Sequence, residues 1–309
     1  MTTLAEHATN YLSIRRALGF KLRAEERLLN EFVACAEAAG QVTITTEFAL
    51  QWARRAVNVS ENHLSRRMRT VRTFARYLHA VDPACEVPSI ELLPAKKYRP
   101  APYVYRDQEI KALLDAAGAL RKPLRAATFR TLIGVLACTG LRVGEAIGLD
   151  RGDVDLAEGV LTVRNSKFGK SREVLLHRSA VQALLDYAQL RDRLCPHPTA
   201  SSFLITTRGT RPCSSTIHAP FRALLEQAGI RHPVPGRNVR VHDLRHSFAV
   251  KTLLGWYRDG GDVAARMPLL STYMGHVDPA ATYWYLSAVP ELLMLAAERL
   301  EHATHGARS

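Results

Sequence analysis

Pro88, Pro94, Pro100 and Pro102 fall in one short stretch, Glu86 to Tyr105, and that cluster limits the fold more than any other feature. Each proline fixes its own φ and steers the preceding residue away from the helical region, so the stretch is stiff and extended. No helix can run through it. The chain therefore divides into residues 1–86, a proline-rich basic linker at 87–105, and residues 106–309. Of 309 residues in total, both flanking parts are long enough to bury a core without disulfides or metal.

Residues 1–86 read as a helical domain. One helix is expected from about Leu4 to Leu18, stopped by Gly19, and a second from about Arg23 to Ala39, stopped by Gly40. A third starts near Thr46 and covers Phe48 to Ala56. The fourth opens at Ser60, a good N-cap, with His63 where a capping box would carry Glu. Leu64, Met68, Val71, Ala75 and Leu78 follow at helical spacing and form its core stripe. Arg66, Arg69, Arg72 and Arg76 fall within one arc beside that stripe, which suits a helix laid against DNA phosphates; a solvated charged face is the plainer alternative. Lys96, Lys97 and Arg99 make the linker a basic strap with the same two readings.

Residues 106–309 read as mainly α with a small antiparallel β insert. Val160–Arg164 and Arg172–Leu176 are the expected strands of a hairpin that turns at Lys167–Lys170, and Phe203–Ile205 is a further short strand. Helices are expected at about 107–117, 124–138, 141–149, 179–192, 215–228, 241–254, 279–288 and 290–301. Leu293, Ala296, Ala297 and Leu300 form the apolar stripe of the last of these.

Charge narrows the partner. Lys plus Arg is 42 against 29 Asp plus Glu, a net +13, which favours a polyanion and nucleic acid before a membrane. No apolar run approaches the roughly 18 residues that span a bilayer. The opening Met1-Thr2-Thr3-Leu4-Ala5-Glu6 lacks the basic and apolar regions of a signal peptide. Cys35, Cys85, Cys138, Cys195 and Cys213 have neither disulfide-framework nor zinc-finger spacing, so a reducing, cytoplasmic setting without metal is expected.

Chemistry on a phosphodiester needs a nucleophile, charge relief on the phosphate and a proton for the leaving oxygen. Four stretches carry such groups. In Thr139-Gly140-Leu141-Arg142, Gly140 ends one helix and Arg142 falls in the first turn of the next, a position for a phosphate clamp. The turn Lys167-Phe168-Gly169-Lys170 presents two candidate acids. In His242-Asp243-Leu244-Arg245-His246-Ser247-Phe248, His242 and Arg245 project from one side of a helix. After Gly275-His276, Asp278 caps a helix on which Ala280, Tyr283, Trp284 and Ala288 form the expected core stripe; Tyr285, about 200° from Tyr283, lies off it. Each stretch alone is explained at least as well by an ordinary surface, the first by an exposed Arg142 paired with Glu145.

The ordered set Arg142, Lys167, His242-x-x-Arg245, Gly275-His276 and Tyr285 resembles the tyrosine recombinases of the phage-integrase family, over about residues 106–290. Tyr285 follows His276 by nine residues, the family's usual interval. The run Pro268 to His276 is similar to integrases of bacterial transposons and other mobile elements more than to Xer-type resolvases. The resemblance implies a helical, SAM-like core-binding domain followed by a catalytic domain. It implies that Arg142, Arg245 and His276 hold the scissile phosphate and that Tyr285 attacks it to give a 3′-phosphotyrosyl enzyme. Lys167 would protonate the 5′ oxygen, with Lys170 as competitor or DNA contact, and His242 would assist proton transfer. It further implies double-stranded DNA as substrate, a homotetramer on paired sites, possible accessory recombination proteins, and no cofactor. A type IB topoisomerase and a catalytically silent DNA-binding protein remain alternatives.

Overall fold

The computed structural model describes residues 3–95, 101–164, 171–276 and 278–306, with side chains through 298. The chain forms two compact units, Met1–Arg99 and Pro100–Ser309. Lys96, Lys97, Arg99, Lys167 and Lys170 lie outside the described residues.

The first unit contains α1 (Leu4–Ala17), α2 (Arg23–Ala38), α3 (Thr46–Arg54) and α4 (Glu61–His79). Thr3 and Glu6 close a reciprocal capping box on α1, and the hydroxyls of Thr45 and Ser60 accept from the Phe48 and His63 amides at the starts of α3 and α4. The four helices pack around Phe32, Trp52, Met68, Phe74 and Leu78. Met68, Val71, Ala75 and Leu78 line the buried face of α4 as the spacing predicts, while Leu64 is only half-buried.

The arginine face of α4 divides. Arg69 and Arg76 are exposed, and Arg66 is half-buried beside Glu25, 3.2 Å away. Arg72 is buried, which corrects its expected role against DNA. Its guanidinium donates to the carbonyls of Pro88, Ser89 and Leu92 at 2.8, 2.6 and 3.0 Å. A proline-rich segment has carbonyls with no ladder partner, and the planar fork of an arginine satisfies several at once. The start of the expected linker is thus docked on α4, and the Glu86 amide donates to the Ile44 carbonyl at 2.8 Å. The far end belongs to the second unit, where Tyr105 is buried and its amide donates to Ser247 Oγ at 2.8 Å.

The second unit is helical around a small sheet. Its elements are α5 (Asp107–Gly118), α6 (Pro123–Thr139), α7 (Val143–Ala146), β1 (Val154–Asp155), β2 (Val160–Val163), β3 (Arg172–Leu175), α8 (Arg178–Leu194), α9 (Ser214–Gln227), α10 (Asp243–Arg258), α11 (Val263–Met274), α12 (Ala280–Ala288) and α13 (Pro290–Gly306). The sheet is antiparallel in the order β1-β2-β3, with Leu161 opposite Val174 and Val163 opposite Arg172. α6 is the central helix, buried through Phe129, Leu132, Ile133 and Leu136.

Several elements differ from expectation. Phe203–Ile205 is buried but forms no strand: Ser202 alone bridges to Asp150. The Phe203 amide still donates to the Leu149 carbonyl, but at Ile205 side chains replace the ladder: its amide donates to the Tyr187 hydroxyl and its carbonyl accepts from Thr128. The helix expected at 141–149 shrinks to α7, a single turn containing Gly144 and followed by Gly148, residues of low helix propensity. No helix is expected between 254 and 279, yet α11 occupies Val263–Met274 with Pro268 inside it. Its buried Val263, Met267, Leu270 and Met274 recur at helical spacing, and their packing outweighs the proline. On α13, Leu292 is buried while Leu293 and Met294 are exposed, so the buried face is rotated from the predicted stripe.

Candidate active site

Two helix ends build the floor of the site. Gly140 ends α6 and Gly275 ends α11, both left-handed, with φ of +62° and +67°. Such a residue closes a helix while leaving its last carbonyls in need of donors. Three arginines supply them at α11. Arg172 Nε donates to the Tyr273 carbonyl at 2.8 Å, Arg245 Nη2 to Met274 at 2.8 Å, and Arg142 Nη2 to Gly275 at 2.9 Å. Arg245 Nη1 also donates to the Gly140 carbonyl at 2.6 Å, tying both helix ends to one guanidinium. Cations are favoured at a helix C-terminus, so these contacts gain from the dipole as well. The glycines are also sterically required: a Cβ at Gly275 would lie 2.7 Å from Arg172 Nη1, and one at Gly140 would lie 2.5 Å from the Phe248 ring.

Glu145 anchors two of these arginines. Arg172 donates to Oε2 at 2.7 Å and Oε1 at 3.2 Å, while Arg142 donates to Oε1 at 2.7 Å and through its amide to Oε2 at 3.0 Å. Burial alone would raise this carboxyl; the donors from Arg172 and Arg142 overcome it and hold it down at about 2. Arg142 is the N-cap of α7 rather than a first-turn residue. Arg245 is buried, and desolvation together with the nearby Arg142 charge lowers it to about 10, which leaves it protonated at neutral pH.

α10 brings His242, Arg245 and His246 to the site. His242 keeps a solvent-facing edge; desolvation of the rest of its ring and the cation of Arg245 hold it below the ordinary histidine range. Its ring meets that of His246 edge-on, with centroids 4.9 Å apart. His276 follows Gly275, and its Nδ1 lies 2.6 Å from Thr282 Oγ1, which fixes the ring.

The tyrosines of α12 reverse the expected orientation. Tyr285 is 1% exposed and Tyr283 is 47% exposed. The Tyr285 hydroxyl sits 2.8 Å from His246 Nδ1, and its ring stacks on His276 at 6.5 Å. The stripe of Ala280, Tyr283, Trp284 and Ala288 assumed an apolar floor beneath α12. The helix instead buries Thr282 and Tyr285, whose hydroxyls find His276 Nδ1 and His246 Nδ1, while the Tyr285 ring joins the apolar cluster of Ala249, Val250, Leu253 and Leu292.

The structure therefore brings Arg142, Arg245, His276 and Tyr285 together, with His242 beside His246. Sequence reasoning gave no role to Arg172, His246 or Thr282 and read Glu145 only as a surface partner of Arg142. The separation of Glu145 from Arg142 by three residues signalled their pairing, but nothing local connects Arg172 to Tyr273 across the fold. Among the described residues, no group of three or more His, Cys, Asp or Glu is placed to hold a metal ion, and no helix is long and apolar enough to cross a membrane.

Comparison with known proteins bears on this arrangement. Residues 104–291 match the phage integrase family. The chain is 43% identical over 307 residues to a putative integrase/recombinase, y4rB, of Sinorhizobium fredii, covering 97% of this chain and 98% of that one. It is 28% identical over 222 residues to the tyrosine recombinase XerC of Alcanivorax borkumensis, covering 72% and 67%. Among solved structures, a Tn1549 transposon integrase in complex with a circular intermediate DNA superposes with a TM-score of 0.66 at 17% identity, over 97% of this chain and 100% of that one. A XerH site-specific recombinase bound to its difH substrate gives 0.61 at 19%, over 89% and 78%. Both share the fold.

Proposed function

This chain belongs to the phage integrase family, and from that premise we propose that it is a site-specific DNA recombinase of a mobile element, cleaving and rejoining double-stranded DNA through a 3′-phosphotyrosyl intermediate. The observation that carries this reading is the convergence of Arg142 and Arg245 on the end of α11, with Tyr285 turned inward beside His246 and His276.

Arg142, Arg245 and His276 bind the scissile phosphate and offset the charge that grows on its oxygens. The Tyr285 oxygen attacks phosphorus, the bond to the 5′ oxygen breaks, and Lys167 protonates that oxygen. An unperturbed phenol near 10 is mostly protonated at neutral pH, so this nucleophile needs cationic neighbours and a proton acceptor. The phosphoester energy stays in the tyrosyl bond, so rejoining needs neither ATP nor metal. Arg66, Arg69 and Arg76 on α4, with the basic strap Lys96, Lys97 and Arg99 and the turn lysine Lys170, contact the DNA backbone. The helical domain and the catalytic domain each bind the DNA, and four protomers assemble on paired sites in the cytoplasm.

The test is a nicked suicide substrate carrying the cognate site, from which the short 5′ product is lost. The protein should become covalently joined to the 3′ end at Tyr285, and paired sites should yield recombinant joints. Relaxed circles without joints would mark a topoisomerase, and binding without any adduct a silent DNA-binding protein.

A further inference from the structure

One close contact in the site has no role in the scheme above. His246 follows Arg245 on α10 and is buried, and its Nδ1 lies 2.8 Å from the Tyr285 hydroxyl. His242, the histidine that family resemblance ties to proton transfer, meets the His246 ring edge-on one helical turn away. Among the described groups that meet the His246 ring are His242 at the start of its own helix and Tyr285 from α12, with Trp284 edge-on at 5.8 Å and His276 stacked on Tyr285.

We propose that His246 is a catalytic residue, the direct acceptor of the Tyr285 proton. The inference rests on Tyr285 being the nucleophile. In the cleavage step a bond forms between the Tyr285 oxygen and phosphorus while the phosphorus bond to the 5′ oxygen breaks. The phenolic proton passes to His246 Nδ1, making an imidazolium, and the 5′ oxygen takes its proton from Lys167. Rejoining reverses each transfer. The geometry meets the requirement for a general base, hydrogen-bond reach of the proton it removes. Burial adds a second: with bulk water excluded from the hydroxyl, solvent is a poor competitor for that proton. The role requires the neutral tautomer with hydrogen on Nε2, so that Nδ1 accepts.

His246→Asn is the discriminating variant, because its amide oxygen can occupy the place of Nδ1 and accept the same hydrogen bond without taking up a proton. On the suicide substrate, the full-length variant should bind DNA as the unaltered protein does. Its adduct formation should be about 100-fold slower, the usual scale for a lost general base, and its rate should climb with pH as hydroxide takes over. A variant that cleaves at the normal rate with the normal pH profile overturns the inference. Nitrogen-15 NMR of the unaltered protein gives a second test that needs no folded variant. At neutral pH, Nδ1 of His246 should show the unprotonated resonance and should shift in Tyr285→Phe. A proton found on Nδ1, donated to Tyr285, overturns the inference equally. The two readings separate cleanly. An adduct formed by Tyr285→Phe removes the nucleophile assignment itself, whereas no adduct from Tyr285→Phe with normal cleavage by His246→Asn removes only the base.

Discussion

Arg142 and Arg245 donate to neighbouring carbonyls of one helix end, Gly275 at 2.9 Å and Met274 at 2.8 Å. Both guanidinia are thereby tied to backbone, Arg142 with the Glu145 carboxylate as a second anchor, and face a helix terminus whose dipole favours cations. Preorganisation of this kind lets a clamp stabilise a developing charge without reorganising at the moment of reaction.

Replacing either arginine by lysine keeps the charge and loses the fork. Arg245→Lys cannot reach both Gly140 and Met274, so a buried carbonyl loses its donor at a cost of about 1–3 kcal/mol. Arg142→Lys cannot satisfy Glu145 and Gly275 together. Both variants should cleave the suicide substrate at least about 100-fold more slowly, with Arg245→Lys also melting lower. Normal cleavage by either one would remove it from the phosphate.

The Glu145 carboxylate gives the site a defined acid sensitivity. Its folded value of about 2 lies below the ordinary 4.5. A depressed carboxyl contributes stability that is fully present above the ordinary value and is lost as pH falls through the folded one. The contribution, on the order of 3 kcal/mol, should therefore vanish between about pH 4.5 and 2. Denaturant unfolding at a series of pH values should show wild-type protein and Glu145→Gln converging across that window. A gap that stays constant would mean that Glu145 is not held by Arg172 and Arg142.

Tyr283 and Tyr285 make opposite predictions from opposite sides of one helical turn. Tyr283 faces solvent, so Tyr283→Phe should form adduct and melt as the unaltered protein does, within about 0.5 kcal/mol. Tyr285→Phe should bind DNA and form no adduct. Mass spectrometry of the trapped peptide should place the DNA on Tyr285; modification at Tyr283 would invert the assignment.

The arginines of α4 should separate by burial. Arg69→Gln with Arg76→Gln removes two exposed charges, and each lost phosphate contact lowers the log–log salt slope of DNA binding by about 0.9. Arg72→Ala should leave that slope unchanged. It should instead lower stability by on the order of 2 kcal/mol, since the carbonyls of Pro88, Ser89 and Leu92 lose their donor. A salt slope altered by Arg72→Ala alone would return that residue to the DNA.

What the sequence by itself determined is local or ordinal. Ser60 as an N-cap, Gly140 as a helix stop, the hairpin strands and the buried stripe of α4 all depend on residues within a few turns of one another. The order of Arg142, Lys167, His242, Arg245, His276 and Tyr285 was legible for the same reason, because motif spacing is a property of the chain. The tertiary structure decided which way side chains face where the partner surface is polar. Periodicity turns the most apolar stripe of a helix inward, yet the buried residues of α12 are Thr282 and Tyr285, each given a polar partner by a histidine from another element, His276 at 2.6 Å and His246 at 2.8 Å. Arg72 was misread on the same assumption: a charge counts as exposed until a distant segment, here Pro88 to Leu92, brings carbonyls that need its donors. Contacts such as Arg172 to Tyr273 and His246 to Tyr285 join residues far apart in the chain, and only the folded backbone sets the distances that let them form.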